Sequence, residues 1–404
     1  MKTSNSFGRC IIIVADHFPP HITGIAEMAV GIANSLVARG WRVELIAPDI
    51  GDTDDQHWSF RVHRWLPSPA HIKGNSAKRL FQALRLRPKA RRLAKESGAK
   101  YIFVSEAHSL RSMRGALTRS SLSYAGLRMG VLFHGLDLIR IPAMSRTQQW
   151  IYRRTLNGFN DVFTNSLFTA QCAELELGTG RPPWPIGCGI TPDALPPSIS
   201  QHTARRELGI TNGPVLLTVS RLERRKGVDR TIEALPRIRK RYPSVQYIVA
   251  GDGIQRTQLE ALARSTGCAD CVHFLGQFPN EDKGKLYSAA DVFVMPCRHI
   301  PSRNVEGFGI VFLEAAHYGV PVVAGCSGGV PDAVVNNETG LLVAPEYPED
   351  IARGVLELLD NPDRARRMAE RARERVHAEY TWDHVVQRLE AHLLSALTPG
   401  ADAE

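Results

Sequence analysis

The stretch that decides the fold is residues 10–47, CIIIVADHFPPHITGIAEMAVGIANSLVARGWRVELIA. Cys10–Ala15 is an unbroken apolar run of the kind buried on both faces in a parallel sheet. The loop Asp16–Thr23 and then Gly24 follow. From there apolar residues fall at Ile25, Met28, Ala29, Ile32, Ala33, Leu36 and Val37, the spacing of one helical face. Gly40 ends that helix in the usual C-terminal position, and Val43–Ala47 is the next strand. Strand, helix and strand in this order make a right-handed βαβ unit, the seed of a doubly wound α/β sheet.

The same alternation continues. Tyr101–Ser105 and Met129–Phe133 read as later strands of the first sheet. Between Gly178 and Ser200 the composition shifts to six prolines and four glycines with little periodicity, which marks a domain boundary. Beyond it Val215–Val219, Val245–Ala250, Cys271–Leu275, Asp291–Met295 and Val320–Ala324 read as strands of a second α/β sheet. Thr381–Leu397 is an amphipathic segment that comes after the second sheet is complete. The expected domains are therefore 1–200, 201–380 and a terminal helix in 381–404.

Bulk properties agree with this and narrow the class. A chain of 404 residues suits two domains, and 43% hydrophobic with 23% charged residues is ordinary for a folded soluble protein. No apolar run reaches the roughly 18 residues of a membrane span, and Cys10–Ala15 is too short for a signal-peptide core. Seven scattered cysteines give no disulfide framework, so the expected compartment is a reducing cytoplasm. Cys268 and Cys271 form a lone CxxC without a second pair or nearby histidines, a poor zinc site. The net charge of +9 suits acidic ligands, nucleotides or anionic lipid surfaces without choosing among them.

Ligands of α/β sheets bind beyond the carboxyl ends of the strands. The first such loop, Asp16 to Gly24, lacks G-x-G-x-x-G, which counts against a nicotinamide dehydrogenase. Gly24 at a helix start permits close approach of a phosphate, though taken alone it equally fits a turn. After the first strand of the second sheet stands Ser220-Arg-Leu-Glu-Arg-Arg-Lys226-Gly227. Arg221 and Lys226 there can clamp two phosphate groups, while taken alone a basic run is more often a solvated face. Gly251-Asp252-Gly253 is a tight turn at the same sheet edge. Then come Glu306-Gly-Phe-Gly-Ile-Val-Phe-Leu-Glu314 and Gly328-Gly329-Val330-Pro331.

Gly307 and Gly309 break the chain just before an apolar helical run, so a helix is expected to begin near Phe308–Ile310. Its N-terminus offers free N–H groups and a partial positive charge to an anion. Glu306 lies before that helix and Glu314 one to two turns inside it. The two carboxylates would flank an anion without meeting, as acceptors for sugar and ribose hydroxyls.

In this order the chain resembles the large GT-B family numbered four among glycosyltransferases. Glu306 and Glu314 match its E-x7-E signature. Gly24, His134-Gly135, Ser220-Arg221 to Lys226-Gly227, Gly251-Asp252-Gly253 and Gly328 to Pro331 sit where that family has its other motifs. The likeness covers nearly the whole chain, and its second half, Val305–Ala324 above all, looks most like the bacterial phosphatidylinositol mannosyltransferases.

The resemblance implies two Rossmann-like domains facing a cleft, with the terminal helix crossing back to the N-terminal domain. It implies a retaining, metal-independent hexosyltransferase taking sugar from a nucleotide diphosphate donor, GDP-mannose favoured and a UDP-sugar possible, with no other cofactor. Arg221 and Lys226 would neutralise the diphosphate, cradled by Gly24 and the N–H groups of Gly309, Ile310 and Val311, with Asp252 also on the donor side. Glu314 would hold the ribose and Glu306 the transferred sugar, with His134 beside that sugar near a hydroxyl acceptor (lipid, glycan or small metabolite).

Four features depart from the pattern or stand outside it. Thr23 replaces a common second glycine, and Asp332 a common Glu after Gly-Gly-x-Pro. Asp52-Thr-Asp54 resembles the D-x-D of the other glycosyltransferase fold but reads as a solvated loop. Residues 78–96 carry Lys78, Arg79, Arg85, Arg87, Lys89, Arg91, Arg92 and Lys95 against one acid, with Leu80, Leu84, Leu86 and Leu93 interleaved and Pro88 interrupting. Docking on an anionic membrane face and an ordinary solvated helix both explain that run. No nucleic-acid partner is expected. A non-hydrolysing nucleotide-sugar epimerase of similar fold and a non-catalytic nucleotide-sugar-binding module are the competing readings; fold alone does not separate them from a transferase.

Overall fold

The computed structural model describes residues 9–20, 23–49, 51, 53–66, 88–107, 127–156, 158–178, 182–210, 212–301 and 304–398. The chain divides into two compact units, Met1–Gly189 with Trp382–Glu404, and Ile190–Thr381.

Among the described residues, unit 1 contains seven parallel strands: β1 (Cys10–Val14), β2 (Arg42–Pro48), β3 (Arg61–Leu66), β4 (Tyr101–Val104), β5 (Arg128–Phe133), β6 (Asp161–Thr164) and β7 (Trp184–Pro185). Their order is β3-β2-β1-β4-β5-β6-β7, so β1 lies between β2 and β4, pairing Ile11 with Val43 on one side and Tyr101 on the other. The order reverses there, which is the switch point where doubly wound sheets place ligands. Every residue of β1 is buried, as the unbroken apolar run requires. The Gly24–Ala38 helix begins on an N-cap, Thr23, whose hydroxyl accepts from Ala26 N at 3.1 Å. Thr23, one of the two departures from the pattern the chain resembles, is therefore a helix cap.

Unit 1 is completed by the Trp382–Leu397 helix, which packs on the Gly24–Ala38 helix. A Cβ at Gly31 would stand 2.3 Å from the Trp382 indole, so only glycine lets the two helices approach this closely. Glu390 fixes the seat, accepting from Trp41 Nε1 at 2.8 Å and Arg39 Nε at 2.7 Å. His392 reaches the buried Asp161 at 2.9 Å, beside the Tyr101 hydroxyl at 2.6 Å. Burial alone would raise the Asp161 carboxyl, but His392, Arg128 and Tyr101 outweigh it and hold it low.

Unit 2 repeats the plan with β8 (Val215–Val219), β9 (Gln246–Ala250), β10 (Val272–Gly276), β11 (Val292–Met295), β12 (Val322–Gly325) and β13 (Leu341–Val343). Their order among the described residues is β10-β9-β8-β11-β12-β13, all parallel, and the switch point lies between β8 and β11. Its core runs from Leu216, Val249 and Val294 to Ile232 and Val355 on the covering helices.

Four strands go beyond the sequence reading. β3 carries Arg61 and Arg64 at a sheet edge, β6 and β7 are four and two residues long, and β13 has only three. No long apolar run marks any of them. Of residues 78–96, those up to 87 lie outside the described part. Residues 88–97 are helical, and Ala90, Leu93 and Ala94 pack into the unit 1 core. Asp52 is also outside it; Thr53 and Asp54 are exposed. All seven cysteines are free thiols, with Cys268 and Cys271 buried before β10. Among the described residues no helix is long and apolar enough to cross a membrane, and no three His, Cys, Asp or Glu gather as a metal site.

Candidate active site

The loop that leaves β8 is fixed before it presents any charge. Ser220 N donates to Ala250 O at 3.0 Å and Leu222 N to Asp252 O at 2.9 Å, tying the loop to the Gly251–Gly253 turn after β9. Leu222 is fully buried. The chain then makes a single 3-10 turn, Arg224–Lys226, closed by Gly227 at φ +75°. A Cβ at Gly227 would fall 2.1 Å from Pro296 O, so glycine is required both by the left-handed backbone and by the strand end it touches. Arg298 N in turn donates to Arg225 O at 2.9 Å. These bonds stitch the loops after β8 and β11 together across the switch point.

Lys226 and Arg225 meet Glu306 there. Lys226 Nζ lies 2.5 Å from Glu306 Oε2, and Arg225 Nη1 contacts the same oxygen. Gly329 N donates to Glu306 O at 2.9 Å, so the Gly328-Gly329 turn anchors the backbone carrying that acid. Burial alone would raise the Glu306 carboxyl; Lys226 and Arg225 outweigh it and bring it down to about 2. Glu306 is therefore a fixed anion between two fixed cations. Cys297 Sγ lies 3.8 Å from the same oxygen, and burial pushes its thiol up to about 12, so it stays protonated.

The helix after Glu306 runs Ile310–His317, with Gly309 as its N-cap and no side chain capping its first N–H groups. Within it Glu314 is 3% exposed. Its Oε1 accepts from Lys283 Nζ at 2.6 Å and its Oε2 from the Tyr287 hydroxyl at 2.8 Å. The Tyr287 ring stacks on Tyr318 at 5.0 Å.

Unit 1 gathers polar groups at its own switch point. The loop after β1 bears His17, whose backbone N donates to Glu106 Oε1 at 2.7 Å while its ring Nδ1 contacts Glu106 Oε2. The Glu106 hydrogen bond raises the His17 pKa, against burial, which lowers it. His134, at the end of β5, places Nε2 2.7 Å from Ser105 O. A carbonyl only accepts, so Nε2 is the donor in this contact. Gly135 follows at φ +89° as the N-cap of the Leu136–Ile139 helix.

Of the residues singled out in the sequence, Lys226 and Glu306 touch, and Gly251 to Gly253 and Gly328-Gly329 support them. Glu314 has partners of its own. Arg221 and Lys226 share none: Arg221 is 69% exposed and pairs with Glu223 at 3.0 Å. The arginine of the loop that turns toward Glu306 is the half-buried Arg225, which the sequence did not distinguish from Arg224. Gly24 and His134 belong to unit 1. Lys283, Tyr287, His17 and Glu106 were also missed; in sequence they are isolated polar residues without motif spacing.

Known proteins show the same design. Residues 22–193 match the profile described as Glycosyltransferase Family 4, and residues 200–375 the one described as Glycosyl transferases group 1. Over 388 residues, 94% of this chain and 96% of the relative, the sequence is 31% identical to a GDP-mannose-dependent alpha-(1-6)-phosphatidylinositol monomannoside mannosyltransferase of Mycobacterium tuberculosis. A monoacylated-substrate counterpart from Corynebacterium glutamicum is 40% identical over 191 residues, 47% of this chain and 49% of that one. Anabaena HepE, crystallised with UDP-glucose, superposes with a TM-score of 0.76 at 22% identity, covering 96% of this chain and 100% of that one. That last likeness speaks for the fold.

With the two family matches and a relative aligned along nearly the whole chain, two parallel sheets of this order make the chain a GT-B glycosyltransferase that draws its sugar from a nucleotide sugar. The chain belongs to glycosyltransferase family 4, and within it to the hexosyltransferases.

Proposed function

We propose that the chain transfers mannose from GDP-mannose to a hydroxyl of a phosphatidylinositol-mannoside type acceptor, with retention at the anomeric carbon and without a metal ion. The observation that carries this reading is Glu306 ionised between Arg225 and Lys226 in front of an uncapped helix N-terminus. Negative charge develops on the β-phosphate as the glycosidic bond breaks, and fixed cations stabilise it without reorganising. Lys226 has three N–H donors and Arg225 five, so the contacts to Glu306 leave donors for a diphosphate. The N–H groups of Gly309, Ile310 and Val311 add to the cradle. Arg221, exposed and paired with Glu223, would cover the outer phosphate, with Asp252 on the same donor side. Glu306 then holds hydroxyls of the sugar and Glu314 those of the ribose.

The family resemblance assigns His134 of unit 1 to the transferred sugar. Retention follows from the family resemblance rather than from a carboxylate nucleophile, and none is assigned. The donor and acceptor classes are supported by the names of the relatives that the chain matches along its length. Peripheral contact with an anionic membrane, at the cytoplasmic face, through residues 78–96 belongs to the same reading. Lys89, Arg91, Arg92 and Lys95 point outward from the helical half whose apolar side faces the core.

The test is turnover of radiolabelled GDP-mannose, UDP-glucose and UDP-N-acetylglucosamine against a phosphatidylinositol mannoside, an oligosaccharide and a small polyol. Transfer to the mannoside from GDP-mannose alone is expected. Epimerisation of a UDP-sugar with no acceptor present would replace this reading with the epimerase one.

A further inference from the structure

Glu314 sits where a carboxylate is expensive. At 3% exposure it has lost its water, and a buried polar group needs hydrogen-bond partners in its place. Lys283, the first residue of the Lys283–Ala289 helix, supplies the counter-charge at 2.6 Å. Tyr287, one turn further along, donates to the other oxygen at 2.8 Å. Neither donor can drift. The Lys283 side chain is 13% exposed, and the Tyr287 ring is fully buried between Tyr318 and Phe293.

The two contacts divide evenly. Each carboxylate oxygen offers two acceptor sites and spends one, so each keeps one. Two acceptors on adjacent oxygens of a planar group match two hydroxyls on adjacent carbons, as in the 2′,3′-diol of a ribose. We propose that Lys283 is a positioning residue for donor recognition: with Tyr287 it holds the Glu314 carboxylate turned so that both oxygens face the nucleoside diol. The proposal rests on the assignment of Glu314 to the ribose. It adds that recognition of the diol depends on a lysine that no motif marks.

The measurement is the ratio of dissociation constants for a nucleoside diphosphate and its 2′,3′-dideoxy analogue, by calorimetry on the full chain, with GDP and UDP pairs in parallel. The phosphates are common to both ligands, so a general loss of positive charge cancels in the ratio. For the unaltered chain the analogue is expected to bind roughly 10-fold or more weakly, the scale of two lost hydrogen bonds. Lys283→Met is expected to bring the ratio within about threefold of unity, Lys283→Arg to restore most of it, and Tyr287→Phe to fall between. Thermal unfolding of each variant establishes that it is folded. If Lys283→Met weakens both ligands alike and leaves the ratio intact while Glu314→Gln abolishes it, the ribose assignment stands and the role of Lys283 is overturned. If Glu314→Gln leaves the ratio intact, the ribose assignment itself fails and Lys283 has no diol to position.

Discussion

Lys226 Nζ stands 2.5 Å from Glu306 Oε2, so the residue assigned to the diphosphate is held by the residue assigned to the sugar. The contact makes the two functions separable by mutation. Glu306→Gln removes a charge that partly neutralises Lys226 and Arg225. Affinity for GDP is expected to hold or rise, while transfer falls by about 10²-fold because the sugar contact is lost. Calorimetry with GDP beside turnover of the donor gives both quantities. A loss of GDP affinity as large as that from Lys226→Ala would put Glu306 in the wrong place.

Neighbouring arginines should behave differently. Arg225 is 11% exposed and bonded to Glu223 and Glu306, whereas Arg224 beside it is exposed. Arg225→Ala is expected to reduce kcat/KM by roughly 10²-fold or more, and Arg224→Ala by less than about threefold. Equal effects in steady-state kinetics would show that burial does not select the working arginine.

The acid limb of the stability curve has a predictable sign. Glu306 titrates at about 2 in the folded chain against an ordinary 4.5. Its contribution is complete above about pH 4.5 and disappears as pH falls toward 2, at up to about 1.4 kcal/mol per pH unit. Urea unfolding of the unaltered chain and of Glu306→Gln should therefore show a gap in stability that narrows from pH 5 to pH 3. A constant gap contradicts the depressed titration.

Gly31 offers a test of packing against propensity. Alanine in a helix interior gains about 1 kcal/mol over glycine, but overpacking costs about 1–3 kcal/mol. With a Cβ 2.3 Å from the Trp382 ring, the clash should win and Gly31→Ala should lower Tm. In a Trp382→Leu background the same change should raise it, and a drop in both backgrounds would mean the indole is not the obstacle.

Metal independence is the last expectation. Arg225 and Lys226 already supply the positive charge a divalent ion would bring, so transfer should survive EDTA. Activity abolished by the chelator and restored by Mg²⁺ or Mn²⁺ would overturn it.

What the sequence revealed tracks how strongly a feature is repeated. β1 was legible because five consecutive apolar residues have few other uses, and β8 because Thr218 alone interrupts its apolar run. β3 was not, since Arg61 and Arg64 suit an edge strand and a loop equally. Glu306 and Lys226 were found through motif spacing, but their contact spans 80 residues of chain and no local pattern encodes it. Arg225 and Arg224 are chemically identical in sequence. Only the 3-10 turn, which sends one inward and the other to solvent, tells them apart.

The seat between Gly31 and Trp382 also sets an order of events during synthesis. A ribosome releases residues from the N-terminus, so the Gly24–Ala38 helix emerges early and its partner only after the whole of Ile190–Thr381 has been made. Until then Trp41 Nε1 and Arg39 lack Glu390, and the groove over Gly31 is open to any passing apolar side chain. Ile190–Thr381 is thus free to mature first on the nascent chain, while the half that precedes it must wait for the Trp382–Leu397 helix to finish it.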